Sequence, residues 1–193
     1  MNGYGYGHGG SAVPQPATSA TAAASAAASH LFDPSLLSEA ADAQPGDGYT
    51  VRPLARSDYA AGHCGVLADL TDVGDMDAAT WAEVFDEMAA DGKYYVVVVE
   101  EDATGMVVAS GTLVVERKFI HGGARAGHIE DIVVVEAARG LSLGRVIIEQ
   151  LKALSVVVGC YKTILDCADK VVGFYGKLGF EVKGNFMAAY HDH

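Results

Sequence analysis

Cysteine and proline are scarce in this sequence, which has three cysteines and five prolines among 193 residues. Cys64, Cys160 and Cys167 are too few for the disulfide framework of a small secreted domain. The sequence contains no Cys-x-x-Cys pair and no cluster of histidines, so we predict no metal site. Unpaired thiols are typical of a reducing compartment, and we therefore expect a cytoplasmic protein.

Positive charge is also in short supply. The chain has 13 lysines and arginines against 25 aspartates and glutamates, a formal net charge of −12. Such a chain repels nucleic acid and acidic membrane surfaces, so we expect no nucleic-acid partner. An anionic ligand must therefore be held by local cations and backbone N–H groups, against the overall field of the protein.

Long hydrophobic runs are absent, although half of the residues are hydrophobic and suffice for a core. The longest apolar stretches are short, valine-rich and typical of strands, so we expect no integral membrane contact. We expect no secretory signal, because no basic segment precedes an apolar one. The Ala/Ser-rich, acid-poor start leaves an organelle transit peptide open, and association with an organelle or an endomembrane surface remains an alternative.

Residues 1–48 have few large side chains and are rich in Gly, Ala and Ser. Such a segment buries too little apolar surface to offset the entropy lost on ordering. We therefore predict a disordered tail over 1–48 and one folded domain over 49–193. A transient helix in the alanine run is the alternative.

The domain alternates strand and helix patterns. We predict strands at 49–53, 94–99, 106–116, 128–135, 161–167 and 180–190. We predict four helices. The first starts at the N-cap Ser57, and the second starts at a capping box formed by Thr80 and Glu83. The third follows the turn at 139–144, and the fourth covers 171–178. The pair 94–99 and 106–116 is a hairpin, whereas a helix connects the strands at 128 and 161. The sheet is therefore mixed, and the class is α/β.

The stretch 128–144 carries the clearest chemical signal. Glu130 and Asp131 interrupt an apolar strand, and neighbouring side chains of a strand face opposite ways, so one acid points into a cleft. A turn from Arg139 to Gly144 then leads into a helix. The free N–H groups and partial positive charge of a helix N-terminus favour phosphate. The pattern indicates a pyrophosphate cradle beside a strand that presents acids to a second substrate.

These residues resemble the GNAT acetyltransferase superfamily, whose cradle reads Gln/Arg-x-x-Gly-x-Gly/Ala. Arg139 and Gly144 fit that pattern, whereas Ser142 takes the place of the middle glycine. Further stretches resemble the eukaryotic glucosamine-6-phosphate N-acetyltransferases over about residues 49–190. They are Leu70-Thr71-x-Val73-Gly74, Glu116-Arg117-Lys118-Phe119-Ile120-His121, Gly127-His128-Ile129-Glu130-Asp131-Ile132-Val133-Val134, Gly159-Cys160-Tyr161-Lys162-x-Ile164-Leu165-Asp166-Cys167 and Phe174-Tyr175-x-Lys177-x-Gly179-Phe180.

The resemblance implies the GNAT fold, a central mixed β-sheet flanked by helices. It implies transfer of acetyl from acetyl-CoA to the amine of D-glucosamine 6-phosphate, on the route to UDP-N-acetylglucosamine. Acetyl-CoA is then a cosubstrate, and no cofactor is bound permanently. The family also implies a homodimer whose active site borrows residues across the interface.

The resemblance implies that backbone N–H groups of the strand and of the cradle bind acetyl-CoA. The expected residues are Ile132, Val133, Val134, Arg139, Gly140, Leu141, Ser142, Leu143, Gly144 and Arg145. The strand donors would polarise the thioester carbonyl, and the cradle would hold the pyrophosphate. The alternatives are a plain buried strand and an ordinary junction between a loop and a helix.

Three residues are the expected catalytic groups. Tyr175 is the proton donor to the departing thiolate, Glu130 accepts the amine proton, and Asp166 orients the amine or the sugar. A core position on a helix stripe is the alternative for Tyr175. Buried acids are costly without partners, which makes the acids functional candidates, and ion pairs with Lys118 or Lys162 are their alternative.

The expected sugar-phosphate pocket combines a hydroxyl, cations, rings and acids. Its residues are Thr71, Lys118, Phe119, Ile120, His121, Glu130, Asp131, Ile132, Tyr161 and Lys162. A solvated loop is the alternative for 118–121. We interpret His128 as a structural histidine, outside the catalytic set.

The sequence departs from the family at two further places. Val171 stands where the family usually has an asparagine near the pantetheine arm, and the chain lacks the basic residue that many relatives carry near Tyr190. We predict direct attack without an acyl-enzyme, because no Cys or Ser has a recognisable base beside it. A catalytically weak acyl-CoA-binding module and a protein or peptide N-acetyltransferase are the alternative functions.

Overall fold

The computed structural model describes residues 30–40 and 44–191. In chain order the elements are α1 (Ser35–Ala40), β1 (Tyr49–Pro53), α2 (His63–Ala68), α3 (Ala78–Asp91), β2 (Tyr94–Glu101), β3 (Met106–Arg117), β4 (Arg125–Val134), α4 (Leu143–Val157), β5 (Cys160–Leu165) and α5 (Val172–Lys177). Short 3-10 helices, Glu136–Ala138 and Asp169–Val171, precede α4 and α5.

The five strands form one sheet in the order β1-β2-β3-β4-β5. The first three pairings are antiparallel, and β4 pairs with β5 in parallel, since α4 connects these two strands. The predicted hairpin and the predicted mixed sheet are both confirmed. The parallel pair places the N-terminus of α4 near the end of β4, where the predicted cradle lies.

Helices cover both faces of the sheet. On one face, α4 packs through Leu143, Ile147 and Leu151, which are almost completely buried. On the other face, Trp81 and Phe85 of α3 pack against valines of β2. Both helices were predicted, and burial of these side chains is the main favourable term in folding.

Glycines allow α4 to lie close against the centre of the sheet. A Cβ atom at Gly111 of β3 would lie 2.5 Å from the Ile147 side chain, and one at Gly127 of β4 would lie 2.5 Å from the Ser155 hydroxyl. Both contacts are shorter than van der Waals packing allows. These positions therefore determine how closely the crossover helix approaches the strands that form the site.

The folded domain begins before the predicted boundary at residue 48. Leu31 and Leu37 are buried in the two cores, and the Leu31 N–H donates to the Leu54 carbonyl at 2.7 Å. The prediction of disorder is thus wrong for this segment, because a few leucines anchor it despite its small neighbours. The prediction for residues 1–29 and 41–43 lies outside the described residues.

Two predicted helix starts and one predicted strand are wrong. Asp77, not Thr80, is the N-cap of α3, and its carboxylate accepts from the Thr80 N–H at 2.8 Å. The helix predicted from Ser57 begins at His63, because Asp58 instead binds the preceding turn. Residues 180–190 form no strand, since a strand needs a neighbouring backbone and this segment has none among the described residues.

Residues 180–190 are largely exposed, including the side chains of Val182, Phe186, Met187 and Tyr190. Within residues 30–40 and 44–191, no helix combines the length and the apolar character that crossing a bilayer needs.

Candidate active site

The sheet opens between β4 and β5. Their pairing ends at Ile129 and Leu165, so the next residues of β4 have no strand on that edge in the described part of the chain. On its other edge, β4 bulges opposite β3, where the register shifts between Ser110 and Thr112. Asp131 occupies the bulge with a φ of 54°. A left-handed aspartate is strained by about 1–2 kcal/mol, and such strain is common in functional sites.

Glu130 and Asp166 lie at the start of this opening. Both side chains are largely exposed, as is Asp131, so the expectation that these acids are buried is wrong. Partial burial, followed by the charges of Asp166 and Asp131, raises the pKa of Glu130 above its ordinary value. A raised pKa makes the carboxylate a better proton acceptor. The alternation argument for the two adjacent acids does not apply, because Asp131 leaves the extended conformation.

The alternative for these acids was an ion pair with Lys118 or Lys162, and the described residues contain no such ion pair. Among the described residues, Lys118 pairs with Glu116, and the Lys162 ammonium lies 5.6 Å from the Tyr161 ring centre. The acids therefore have no neutralising lysine in the described chain, and the cluster keeps the charge repulsion that raises the pKa of Glu130.

Tyr175 lies in α5 at the edge of the core around α4. Its ring packs against Phe174 and Phe180, with centroid distances of 5.1 and 6.0 Å. Burial, followed by the charge of Cys167, raises the pKa of Tyr175, so the phenol keeps its proton. The contact of the Tyr175 ring with the core agrees with the alternative that Tyr175 is a core residue. Because the side chain is only half-buried, Tyr175 is also available as a proton donor.

The predicted cradle lies between the end of β4 and α4. Gly140 and Ser142 both have left-handed backbone conformations, with φ of 88° and 61°. The Ser142 carbonyl accepts from the Val146 N–H, so the N–H groups of Leu143, Gly144 and Arg145 precede the first bond within the helix. The Leu143 side chain is buried, and only its backbone is available to a ligand.

Arginines flank the cradle on both sides. The Arg139 side chain is exposed, and its Nε donates to the Val134 carbonyl at 3.4 Å. Arg145 is exposed in the first turn of α4. Two cations beside free backbone donors suit a doubly charged phosphate group, whatever the net charge of the chain.

Three of the predicted sugar-phosphate residues come together. The His121 and Tyr161 rings lie 4.7 Å apart between centroids, and Lys162 lies over the same tyrosine. Phe119 and Ile120 are exposed at the tip of the loop, and Thr71 is exposed in the separate loop after α2. No described contact joins Thr71 to the ring cluster.

Several site residues were missed in the sequence. Glu116 accepts from both Lys118 and His128, and the Asp69 carboxylate accepts from the Glu136 N–H at 3.0 Å, just before the cradle. The first group carries a signal, since Glu116 and Lys118 have opposite charges and lie two residues apart at the end of β3. The second contact joins residues far apart in sequence and has no local signal.

A chain of buried, hydrogen-bonded side chains from α2 and α3 supports the strand β3 next to the bulge. The Trp81 indole N–H donates to His63 Nδ1 at 3.3 Å, and His63 Nε2 lies 3.2 Å from the Ser110 hydroxyl. Because indole is only a donor, His63 carries its proton on Nε2 and donates it to Ser110. Burial lowers the pKa of His63 to about 4, which keeps the ring neutral.

The sequence profile of the acetyltransferase (GNAT) family matches residues 51–180. This chain belongs to that family. Glucosamine 6-phosphate N-acetyltransferase 1 of Oryza sativa is 40% identical over 159 residues, which cover 81% of this chain and 96% of the relative. Glucosamine 6-phosphate N-acetyltransferase 1 of Dictyostelium discoideum is 41% identical over 145 residues, 75% of this chain and 92% of the relative.

Solved structures of GNAT enzymes share the fold. The crystal structure of glucosamine-6-phosphate N-acetyltransferase from Arabidopsis thaliana superposes with a TM-score of 0.73 at 35% identity, covering 75% of this chain and 99% of that one. The GNAT fold predicted from the cradle and the strand order is therefore confirmed, as is the resemblance to this group of enzymes.

Proposed function

We propose that this GNAT protein transfers acetyl from acetyl-CoA to the amine of D-glucosamine 6-phosphate, giving N-acetyl-D-glucosamine 6-phosphate and CoA. The observation that carries the proposal is the opening between β4 and β5, where an acid with a raised pKa lies beside a strand edge that β5 leaves unpaired and near a helix N-terminus. The shared sequence with enzymes named for this reaction supports the choice of substrate.

The amine must be neutral to attack the thioester. The Glu130 carboxylate accepts the amine proton, its backbone carbonyl accepts a hydrogen bond from the amine, and Asp166 and Asp131 orient the amine and the sugar hydroxyls. Backbone N–H groups over 132–134 pair with the pantetheine arm and polarise the acetyl carbonyl. The amine forms the C–N bond and the C–S bond breaks, after which the nitrogen releases its remaining extra proton to solvent. Tyr175 gives its proton to the thiolate and regains one from solvent.

The two phosphate groups of the substrates are held at different places. The cradle from Arg139 to Arg145 holds the CoA pyrophosphate, mainly through backbone donors, and Ser142 keeps its own N–H for this purpose. The loop 118–121, together with Thr71, Tyr161 and Lys162, holds the sugar phosphate. Both sites are locally cationic, which offsets the net negative charge of the chain.

A direct assay tests this function. Thiol release from acetyl-CoA is measured with glucosamine 6-phosphate, with unphosphorylated glucosamine and with a panel of cationic peptides. Turnover that depends on glucosamine 6-phosphate supports the proposal. Turnover with peptides and none with the sugar would instead assign a peptide N-acetyltransferase.

A catalytically weak acyl-CoA-binding module is the second candidate, favoured by the left-handed Ser142 in the cradle and by Val171 near α5. Isothermal titration with CoA distinguishes the two functions. Binding of CoA without turnover of any amine would support the module and contradict the enzyme.

We also propose that the protein forms a homodimer. Large apolar side chains are exposed in the loop 118–121 and over 182–190, among them Phe119, Met187 and Tyr190. Contiguous exposed apolar residues are typical of an interface. Sedimentation velocity of the full chain is expected to show a dimer, and a chain ending at residue 179 a monomer. A monomeric full chain would contradict this part of the proposal.

A further inference from the structure

The Glu116 carboxylate joins two strands and one loop of the site. Its Oε2 accepts from Lys118 Nζ at 2.5 Å and lies 2.9 Å from His128 Nε2. Glu116 is near the end of β3, His128 is in β4, and Lys118 begins the loop that follows β3. One carboxylate oxygen therefore connects the loop to the strand that also carries Glu130.

We propose that Glu116 is a positioning residue that determines specificity for the 6-phosphate of the sugar, because it fixes Lys118 relative to β4. This inference rests on the proposed role of Lys118 in binding the sugar phosphate. It adds a residue that touches no substrate and acts through the lysine.

The geometry makes the connection rigid. Val114 pairs with His128 in the β3–β4 register, so Glu116 reaches His128 diagonally across the same face of the sheet. His128 precedes Glu130 by two residues, which span about 7 Å of strand. The carboxylate thus sets the separation between the ammonium of Lys118 and the acid that receives the amine.

His121 anchors the end of the loop on the Tyr161 ring, and the ion pair with Glu116 anchors its beginning at Lys118. The Lys118 N–H donates to the Ala124 carbonyl and closes the loop, but Phe119 and Ile120 at its tip are exposed. The Lys118 side chain is only 26% exposed, although lysine is normally solvated. Hydrogen bonds from Lys118, then His128, lower the pKa of Glu116, so its carboxylate stays charged near neutral pH.

Substitutions at Glu116 and Lys118 test the inference with two substrates. Initial rates are measured with glucosamine 6-phosphate and with glucosamine for the wild type, Glu116→Ala, Lys118→Ala and the double variant. We expect Glu116→Ala to raise KM for glucosamine 6-phosphate by about fivefold with kcat little changed. Kinetics with glucosamine should not change, because that sugar has no group for Lys118 to bind.

The double variant separates positioning from general structural support. If Glu116 acts through Lys118, its removal has no further effect once the lysine is alanine. Equal losses with both sugars, additive losses in the double variant, or a lower KM in Glu116→Ala would each overturn the inference. A lower KM would mean that the carboxylate competes with the phosphate.

Two further variants serve as checks. Glu116→Gln keeps the shape of the side chain without its charge, and it should shift KM in the same direction by less, even if the alanine variant folds poorly. Asp91→Ala breaks another carboxylate–lysine pair with the same spacing, to Lys93, and should leave both sugars unaffected. A wild type with no preference for the phosphorylated sugar, or an inert Lys118→Ala, would refute the assignment of Lys118 and the inference with it.

Discussion

The Tyr175 hydroxyl is the group that we expect to return a proton to the thiolate of CoA. Tyr175→Phe removes one oxygen and keeps the ring that packs on Phe174 and Phe180. We therefore expect kcat to fall by about 10²–10⁴-fold with the melting temperature nearly unchanged, measured by thiol release and by calorimetry. Tyr49→Phe is the matched control, since Tyr49 also packs at the edge of the same core. Unchanged turnover in Tyr175→Phe would exclude the proton-donor role.

Ser142 is a residue at which this chain departs from the glycine of its family. Its φ of 61° disfavours a side chain, so Ser142→Gly should stabilise the protein by about 0.5 kcal/mol and lower KM for acetyl-CoA. Chemical denaturation and steady-state kinetics measure the two effects. Ser142→Ala keeps the Cβ atom and removes only the hydroxyl, so it should give neither gain. A destabilised glycine variant would contradict the prediction.

At the scale of elements, His63 connects α2 to α3 and β3 through a buried hydrogen-bonded chain. Its pKa is about 4 in the folded protein and near 6.5 when unfolded. Between these values the unfolded chain binds a proton that the folded protein does not, so folding loses stability as the pH falls from 6.5 to 4. The loss at the lower end is about 3 kcal/mol.

Urea denaturation at pH 7, 5.5 and 4.5 measures this dependence. His63→Gln keeps an acceptor for Trp81 and a donor for Ser110, and its stability should fall less steeply over the same range. His191→Gln, at an exposed position, should retain the wild-type slope. Parallel curves for the wild type and His63→Gln would show that His63 is not the group responsible.

The elements that could be predicted from the sequence are those with a strong local pattern. The valine run of β2, the hairpin to β3 and the start of α4 after Arg139 each carry their signal within a few residues. The candidate cradle and the candidate acids Glu130 and Asp131 were proposed for the same reason. The C-terminal segment also alternates like a strand, but pairing depends on a neighbour that the segment's own sequence does not specify.

What the sequence did not predict depends on contacts over long distances. The bulge at Asp131 lies opposite Gly111 of a distant strand, and the contact between Asp69 and Glu136 joins two separate loops. Glu116 was quoted only as part of a motif, because its partners become evident when β3 and β4 are aligned in register. Local patterns therefore sufficed to propose the site, while its supporting contacts required the fold.

At the scale of the whole molecule, the segment 30–40 extends the core beyond the predicted domain. Leu37 is 6% exposed and belongs to the core around α4. Leu37→Ala should lower the free energy of unfolding by about 2–5 kcal/mol, as measured by urea denaturation. Leu70→Ala, at a position that is 46% exposed, should cost less than about 1 kcal/mol. Equal stability of Leu37→Ala and the wild type would restore the boundary at residue 48.

The strand order also determines the sequence of events when the chain refolds. β2, β3 and β4 are consecutive and antiparallel, with short turns between them, whereas β5 reaches β4 only after the 15 residues of α4. Contacts close in sequence form early, and a parallel crossover forms later. We therefore expect the meander to form before the protein has a place for its substrates, and docking of the last strand to create that place.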